Sequence, residues 1–243
     1  LVLGERGTIR IARDLERFLR VARRGVAMST RTHTTILGRP VERLSTSAGD
    51  GPEHLLSDPR VDSLVHAVSP RRVVGRGLRL DHVSVTAVVE APAKTSRRTR
   101  REALRVAIEA TTGPVCIGID DPDAERLRAG VEPGRVIMVA SRQSHPRVTS
   151  HLESGGAVVL PRLESSEPAI ELRRRGVPAE RIPLSLLRVG SGPVDESLLR
   201  RLLWTAALAF GLGVTGPSPP PAEDEGDSRL RMPTASRETP GAS

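Results

Sequence analysis

Near the amino end, Gly4-Glu5-Arg6-Gly7-Thr8 stands between an apolar run and an amphipathic one, which is the setting of a phosphate loop. Glycines let backbone N–H groups approach phosphate oxygens, and the helix that follows contributes the positive end of its dipole. Arg6 and Thr8 place a cation and a hydroxyl in the same stretch, whereas Glu5 sets a carboxylate where a polyphosphate would be repelled. Two readings stand: residual nucleotide binding through Gly4, Arg6, Gly7 and Thr8, or a strand-to-helix turn that keeps its glycines for shape.

A second cluster, Arg71, Arg72 and Arg76, is a candidate anion site for a phosphate or an acidic peptide; the alternative is a solvated basic surface. Asp120 and Asp121 offer a carboxylate pair for acid–base work. A helix cap is simpler, with Asp121 as N-cap and Pro122 in the first helical position. The six histidines, His33, His54, His66, His82, His145 and His151, show no tight ligand spacing, so no metal ligands are assigned. Ser47 and Ser69 lack the Gly-x-Ser-x-Gly setting of a serine hydrolase. Cys116 is alone, which excludes a disulfide or a cysteine zinc site within the chain. No catalytic residue is assigned.

The elements that must position these residues follow from periodicity. Val-rich runs at 63–68 and 84–89, about 20 residues apart with a basic Gly-containing segment between, suit two parallel strands joined by a crossover. Further strands are expected at 1–3, 25–29, 115–119, 135–140 and 157–160. Helices are expected from Ile11 to Ala22 and at 97–110, 123–129 and 195–212, with a short one at 52–57 and a turn at Leu37-Gly38-Arg39-Pro40. The runs at 1–3, 63–68, 84–89 and 115–119 are expected to be neighbouring buried strands. The alternation predicts one α/β domain over 1–214, a mostly parallel sheet with helices on both faces. Residues 215–243, rich in Pro, Ser and acids, are expected to be disordered.

The net charge of +8 and pI of about 11.2 suggest a nucleic-acid partner. Yet every one of the 37 basic residues except Lys94 is arginine, asparagine is absent and Gln143 is the single glutamine, a skew typical of GC-rich coding. The aromatic set is Phe18, Trp204 and Phe210, all within apolar helical patterns, so the stacking residues of a single-strand binder are missing. No apolar run approaches the ~18 residues that span a bilayer, and a cytoplasmic location without membrane partners is expected. The start in mid-strand at Leu1 suggests a fragment of a longer product.

In order, the segments resemble the central ATP-binding domain of the Mur ligase family, most closely its cyanophycin-synthetase version. The resemblance is carried by Val2-Leu-Gly-Glu-Arg-Gly-Thr8 before a helix, Gly38-Arg-Pro-Val41, Gly49-Asp-Gly-Pro52, Leu55-Leu-Ser-Asp-Pro59, Val74-Gly-Arg-Gly-Leu-Arg-Leu-Asp81, Ile119-Asp-Asp-Pro122 and the Leu- and Ala-rich helix from Leu198. It covers about 1–213.

The resemblance implies ATP and Mg2+ as family cofactors and acyl-phosphate ligation of an amino acid or peptide. It also exposes departures. The family loop reads GTxGKTTT; here Gly4 and Gly7 match its glycines, Thr8 stands at the lysine and Ile9 at the first following threonine. Ala67 occupies the position of the magnesium-holding glutamate, and the family's following Asn and Asp-His element is not recognisable at 90–94. The implied function is a degenerate, catalytically impaired amide ligase domain. Alternatives are an active ligase domain of a larger protein and, more distantly, a basic nucleic-acid binder. Implied partners are a nucleotide or acidic peptide, a partner subunit, or adjacent ligase domains.

Overall fold

The computed structural model describes residues 1–4, 7–41, 52–89, 95–121, 124–187 and 193–216, without the side chains at 124 and 125. The loop residues Glu5 and Arg6, the segments 42–51, 90–94 and 188–192, Pro122 and Asp123, and the expected tail from Pro217 lie outside the described residues.

The strands are β1 (Val2–Leu3), β2 (Val26–Ser29), β3 (Thr34–Ile36), β4 (Arg39–Pro40), β5 (Ser63–Val68), β6 (Thr86–Val88), β7 (Val115–Gly118), β8 (Val136–Val139), β9 (Ala157–Arg162), β10 (Ala169–Arg174) and β11 (Val177–Pro183). They form one sheet in the order β11-β10-β9-β8-β7-β6-β1-β5-β2-β3-β4. The seven strands from β9 to β2 run parallel, and an antiparallel hairpin closes each edge. The four runs expected to be neighbours are neighbours: β7, β6, β1 and β5 are consecutive. Their Val-, Ile- and Leu-rich sequences suit strands buried on both faces.

Helices α1 (Thr8–Val21) and α7 (Glu196–Gly211) pack together on one face, where Ile11, Leu15, Phe18, Trp204 and Phe210 join Val2, Val65 and Ala87 in one apolar cluster. All three aromatics lie in this core. On the other face α2 (Pro70–Arg76), α3 (Arg97–Ala110), α4 (Ala124–Ala129) and α5 (Pro146–Glu153) cover the sheet. There Leu3, Val68 and Ile117 meet Val73, Leu104 and Val148. A four-residue helix, α6 (Leu184–Leu187), follows β11 and packs against α1 and α7. The segment Pro52–Ser57 is a 3-10 helix.

Three elements differ from the periodicity reading. The crossover after β5 contains α2. Leu37 and Gly38, both with positive φ, make the two-residue turn of a hairpin whose threonine-rich arm is β3. The third is the segment 163–187, which builds β10, β11 and α6. Alternating charge and Pro178 and Pro183 hide β11 from a search for apolar runs, and prolines fit an edge strand because it needs no outward donor there.

Candidate functional site

The loop after β1 lies at the carboxyl ends of three adjacent parallel strands. The Gly4 amide donates to the Val68 carbonyl of β5 at 3.0 Å. A Cβ placed on Gly4 would stand 3.0 Å from the Val89 carbonyl oxygen beyond β6 and 2.8 Å from Thr8 Cγ2. Glycine is required at this close approach. Chain connectivity reverses direction here as well: from β1 the chain passes outward to β2 and returns to β5, whereas β6 is laid down on the opposite side of β1. Such a switch point is where open α/β sheets form their ligand crevice.

Gly7 adopts the left-handed conformation (φ 79°, ψ −20°) as N-cap of α1, and no side chain caps the helix. The Ile11 amide closes the first turn on the Gly7 carbonyl at 3.0 Å, which leaves the earlier amides of that turn available at its positive end. Thr8, at the expected cation position, is buried at 4% exposure and packs over Gly4.

Arg71, Arg72 and Arg76 are exposed on α2, which begins two residues after Val68. The structure therefore places the two predicted clusters at adjacent strand ends. Arg72 approaches His66, which sequence reasoning missed as a site residue because its spacing signals nothing. His66 is buried in β5, its Nδ1 has no partner and its ring bonds the Ser29 backbone. Burial first, then the positive charges of the Leu1 amine and Arg72, push its pKa down to about 4 against that bond.

Asp121 is buried and paired with Arg100 of α3. Its carboxylate is thus engaged across the domain, whereas Pro122 and Asp123, on which the cap reading depends, lie outside the described residues. Asp120 is exposed and faces His145 Nε2 at 3.4 Å, and His145 Nδ1 accepts from the Arg147 amide at the start of α5. His151 is fully buried and bonds the Val136 carbonyl at 3.1 Å, a packing role.

Ala67 belongs to the apolar cluster beneath α1 and α7. Among the described residues no group of three or more His, Cys, Asp or Glu side chains could hold a metal ion. The described loop residues offer a magnesium nucleotide glycine amides and a helix end, but neither a lysine ammonium nor a metal carboxylate. They do not fit a magnesium–ATP site.

No protein-family model matches the sequence, and a sequence search of curated proteins finds no match. Solved structures do share the fold. UDP-N-acetylmuramoyl-L-alanyl-D-glutamate–2,6-diaminopimelate ligase aligns with a TM-score of 0.59 at 11% identity, over 87% of this chain and 42% of that one. Weaker alignments reach Mycobacterium tuberculosis folylpolyglutamate synthase complexed with ADP and AMPPCP (TM-score 0.47, 12% identity, 86% of this chain, 54% of that one) and Thermotoga maritima MurF ligase in complex with ADP (0.45, 15%, 88% and 45%). The chain has a Mur-ligase-like α/β fold. It spans about half the length of the ligases it matches. Among the described residues no helix is long and apolar enough to cross a membrane.

Proposed function

We propose that this chain is a degenerate ATP-dependent amide ligase domain, of the cyanophycin-synthetase kind within the Mur ligase fold, that keeps the architecture without the chemistry. The observation that carries this reading is Thr8, which occupies the lysine position and is buried against Gly4. A threonine there supplies no charge to a transferring phosphoryl group. Preorganised charge of that kind is often worth ~3 kcal/mol or more in the transition state. Ala67 in the apolar core supports the same reading on the metal side, because a methyl group cannot coordinate a cation.

What remains is an anion-binding scaffold. Gly4, Gly7 and Thr8, with Arg6, form a vestigial phosphate loop, and Arg71, Arg72 and Arg76 border it on α2. The ligands this arrangement suits are a nucleotide's phosphates, bound without turnover, or an acidic peptide. A cytoplasmic setting and contact with adjacent ligase domains or a partner subunit fit this role.

Calorimetric titration of the purified chain with ATP, with and without magnesium, together with an ATP turnover assay, tests the proposal. The expected result is magnesium-independent weak binding or none, with no turnover. Magnesium-dependent ATP turnover that disappears in Gly7→Val would overturn it.

A further inference from the structure

A buried carboxylate outside the strand-end site organises a second arginine cluster. Glu171 of β10 is 1% exposed, although it lies on the sheet face opposite the side of β10 that α7 packs. Arginines from three consecutive strands converge on it. Arg173 of β10 chelates Oε1 through Nε and Nη2, Arg181 of β11 reaches Oε2 at 3.4 Å, and Arg162 of β9 stands 3.9 Å from Oε2. Among the described residues Glu171 is the one carboxylate paired with these three guanidiniums, which leaves two positive charges in surplus. Each arginine side chain is 40–52% exposed, so part of each planar donor set faces solvent while the buried acid fixes its orientation. On the opposite face, Arg174 is matched one to one by Glu180, so that pair does not draw on the surplus.

A segment of complementary charge follows the last described residue in sequence. Glu223-Asp224-Glu225-Gly226-Asp227 holds four carboxylates in five residues, and Arg229 is the next charged residue beyond it. Gly216, the last described residue before this segment, lies against Leu186 of α6, with a Cβ placed on it 4.0 Å from Leu186 Cδ1. Helix α6 directly follows β11, and the Leu184 amide bonds the Pro168 carbonyl at 2.9 Å. The cluster is therefore close to that exit. Ala169 pairs with both Pro183 and Arg162, so Arg162 is two strand spacings, about 10 Å, from the residue preceding α6. Six residues lie between Gly216 and Glu223, seven Cα-to-Cα steps that can extend about 25 Å.

We infer that the acidic run 223–227 docks in cis on the Arg162–Arg173–Arg181 platform around Glu171. The docked run neutralises the surplus charge, and any other anion must displace it. Arg229 and Arg231 limit the footprint to the acidic run, since continuing further would bring like charges together.

A nitroxide attached to Ser228→Cys in the full-length, 15N-labelled chain tests this by paramagnetic broadening of amide signals; Cys116 is buried with its thiol pushed up to about 12, so the label is selective. The expected result is loss of peak intensity across β9, β10 and β11. Intensity should return in about 0.5 M NaCl, where screening shortens the range of the attraction. It should also return in the variant Glu223→Gln/Asp224→Asn/Glu225→Gln/Asp227→Asn, which changes none of the described residues. Arg162→Gln/Arg181→Gln, which keeps Arg173 on Glu171, should do the same. No broadening at these strands, or broadening that survives acid neutralisation, overturns the inference. Broadening seen only between spin-labelled and 15N-labelled molecules in a mixture also overturns it, because a second copy is then the occupant.

Discussion

The Gly4 amide and the Val68 carbonyl lie 3.0 Å apart, and this bond joins the glycine loop after β1 to the segment that leads into the arginines of α2. Two basic or glycine-rich stretches more than sixty residues apart in sequence thereby become one rim at the carboxyl end of the sheet. The loop side of that rim is closed by packing: Thr8 lies over Gly4, and Val89 lies behind it.

Gly4→Ala should therefore destabilise the fold, because its methyl group would stand 2.8 Å from Thr8 Cγ2 and 3.0 Å from the Val89 carbonyl oxygen. Overpacking of this kind costs about 1–3 kcal/mol. A lowered urea midpoint at unchanged slope is the expected readout. Gly7→Ala meets no atom within 4 Å and should cost only its left-handed backbone strain, about 1 kcal/mol.

Thr8→Lys alone should restore little ATP turnover, since Ala67 would still supply no metal ligand. The triple change Thr8→Lys/Ile9→Thr/Ala67→Glu is the minimum that returns both charges. A phosphate-release assay distinguishes them, and full activity from the single change would show that the metal carboxylate is dispensable.

Asp121→Ala should be among the most damaging substitutions away from the loop. It leaves Arg100, 9% exposed, without the carboxylate it pairs with, a loss worth about 3–5 kcal/mol for a buried pair. Asp121→Asn, which keeps the shape and one acceptor, should cost less. Thermal denaturation of the two variants side by side measures the difference.

His66 makes stability depend on pH with a definite sign. Its folded pKa, about 4, lies below the usual histidine value near 6.5, so between these values the unfolded chain binds more protons. Its contribution is fully present above about pH 6.5 and is lost as pH falls towards 4, by up to about 3 kcal/mol. Chemical denaturation across this range should show the slope, and His66→Gln should flatten it.

Cys116 should resist alkylation in the native protein. It is fully buried and its thiol pKa is pushed up to about 12 by burial, so almost no thiolate exists at neutral pH. Labelling by iodoacetamide should follow the unfolding transition as denaturant is added.

The parallel strands were legible because burial on both faces demands continuous Val, Ile and Leu, and the runs at 63–68 and 115–119 show that demand without help from context. Helices α1, α3 and α7 were legible for the same reason at helical spacing. The hairpin β10–β11 was not, since Glu171, Arg173 and Arg181 occupy inward or cross-strand positions where an apolar pattern would be sought, and only their mutual pairing makes burial affordable.

Sequence by itself determined the α/β class and the glycine loop at the start of the first helix, because these are properties of residue type and local period. Tertiary structure alone decided that the loop and the α2 arginines share one rim, that His66 is sealed beside Arg72, and that Asp121 belongs to Arg100. Two of those join residues more than twenty positions apart, and the burial of His66 comes from the layers packed around its strand. Strand order sets which ends become neighbours, and strand order is the outcome of packing the whole sheet between its two helical layers.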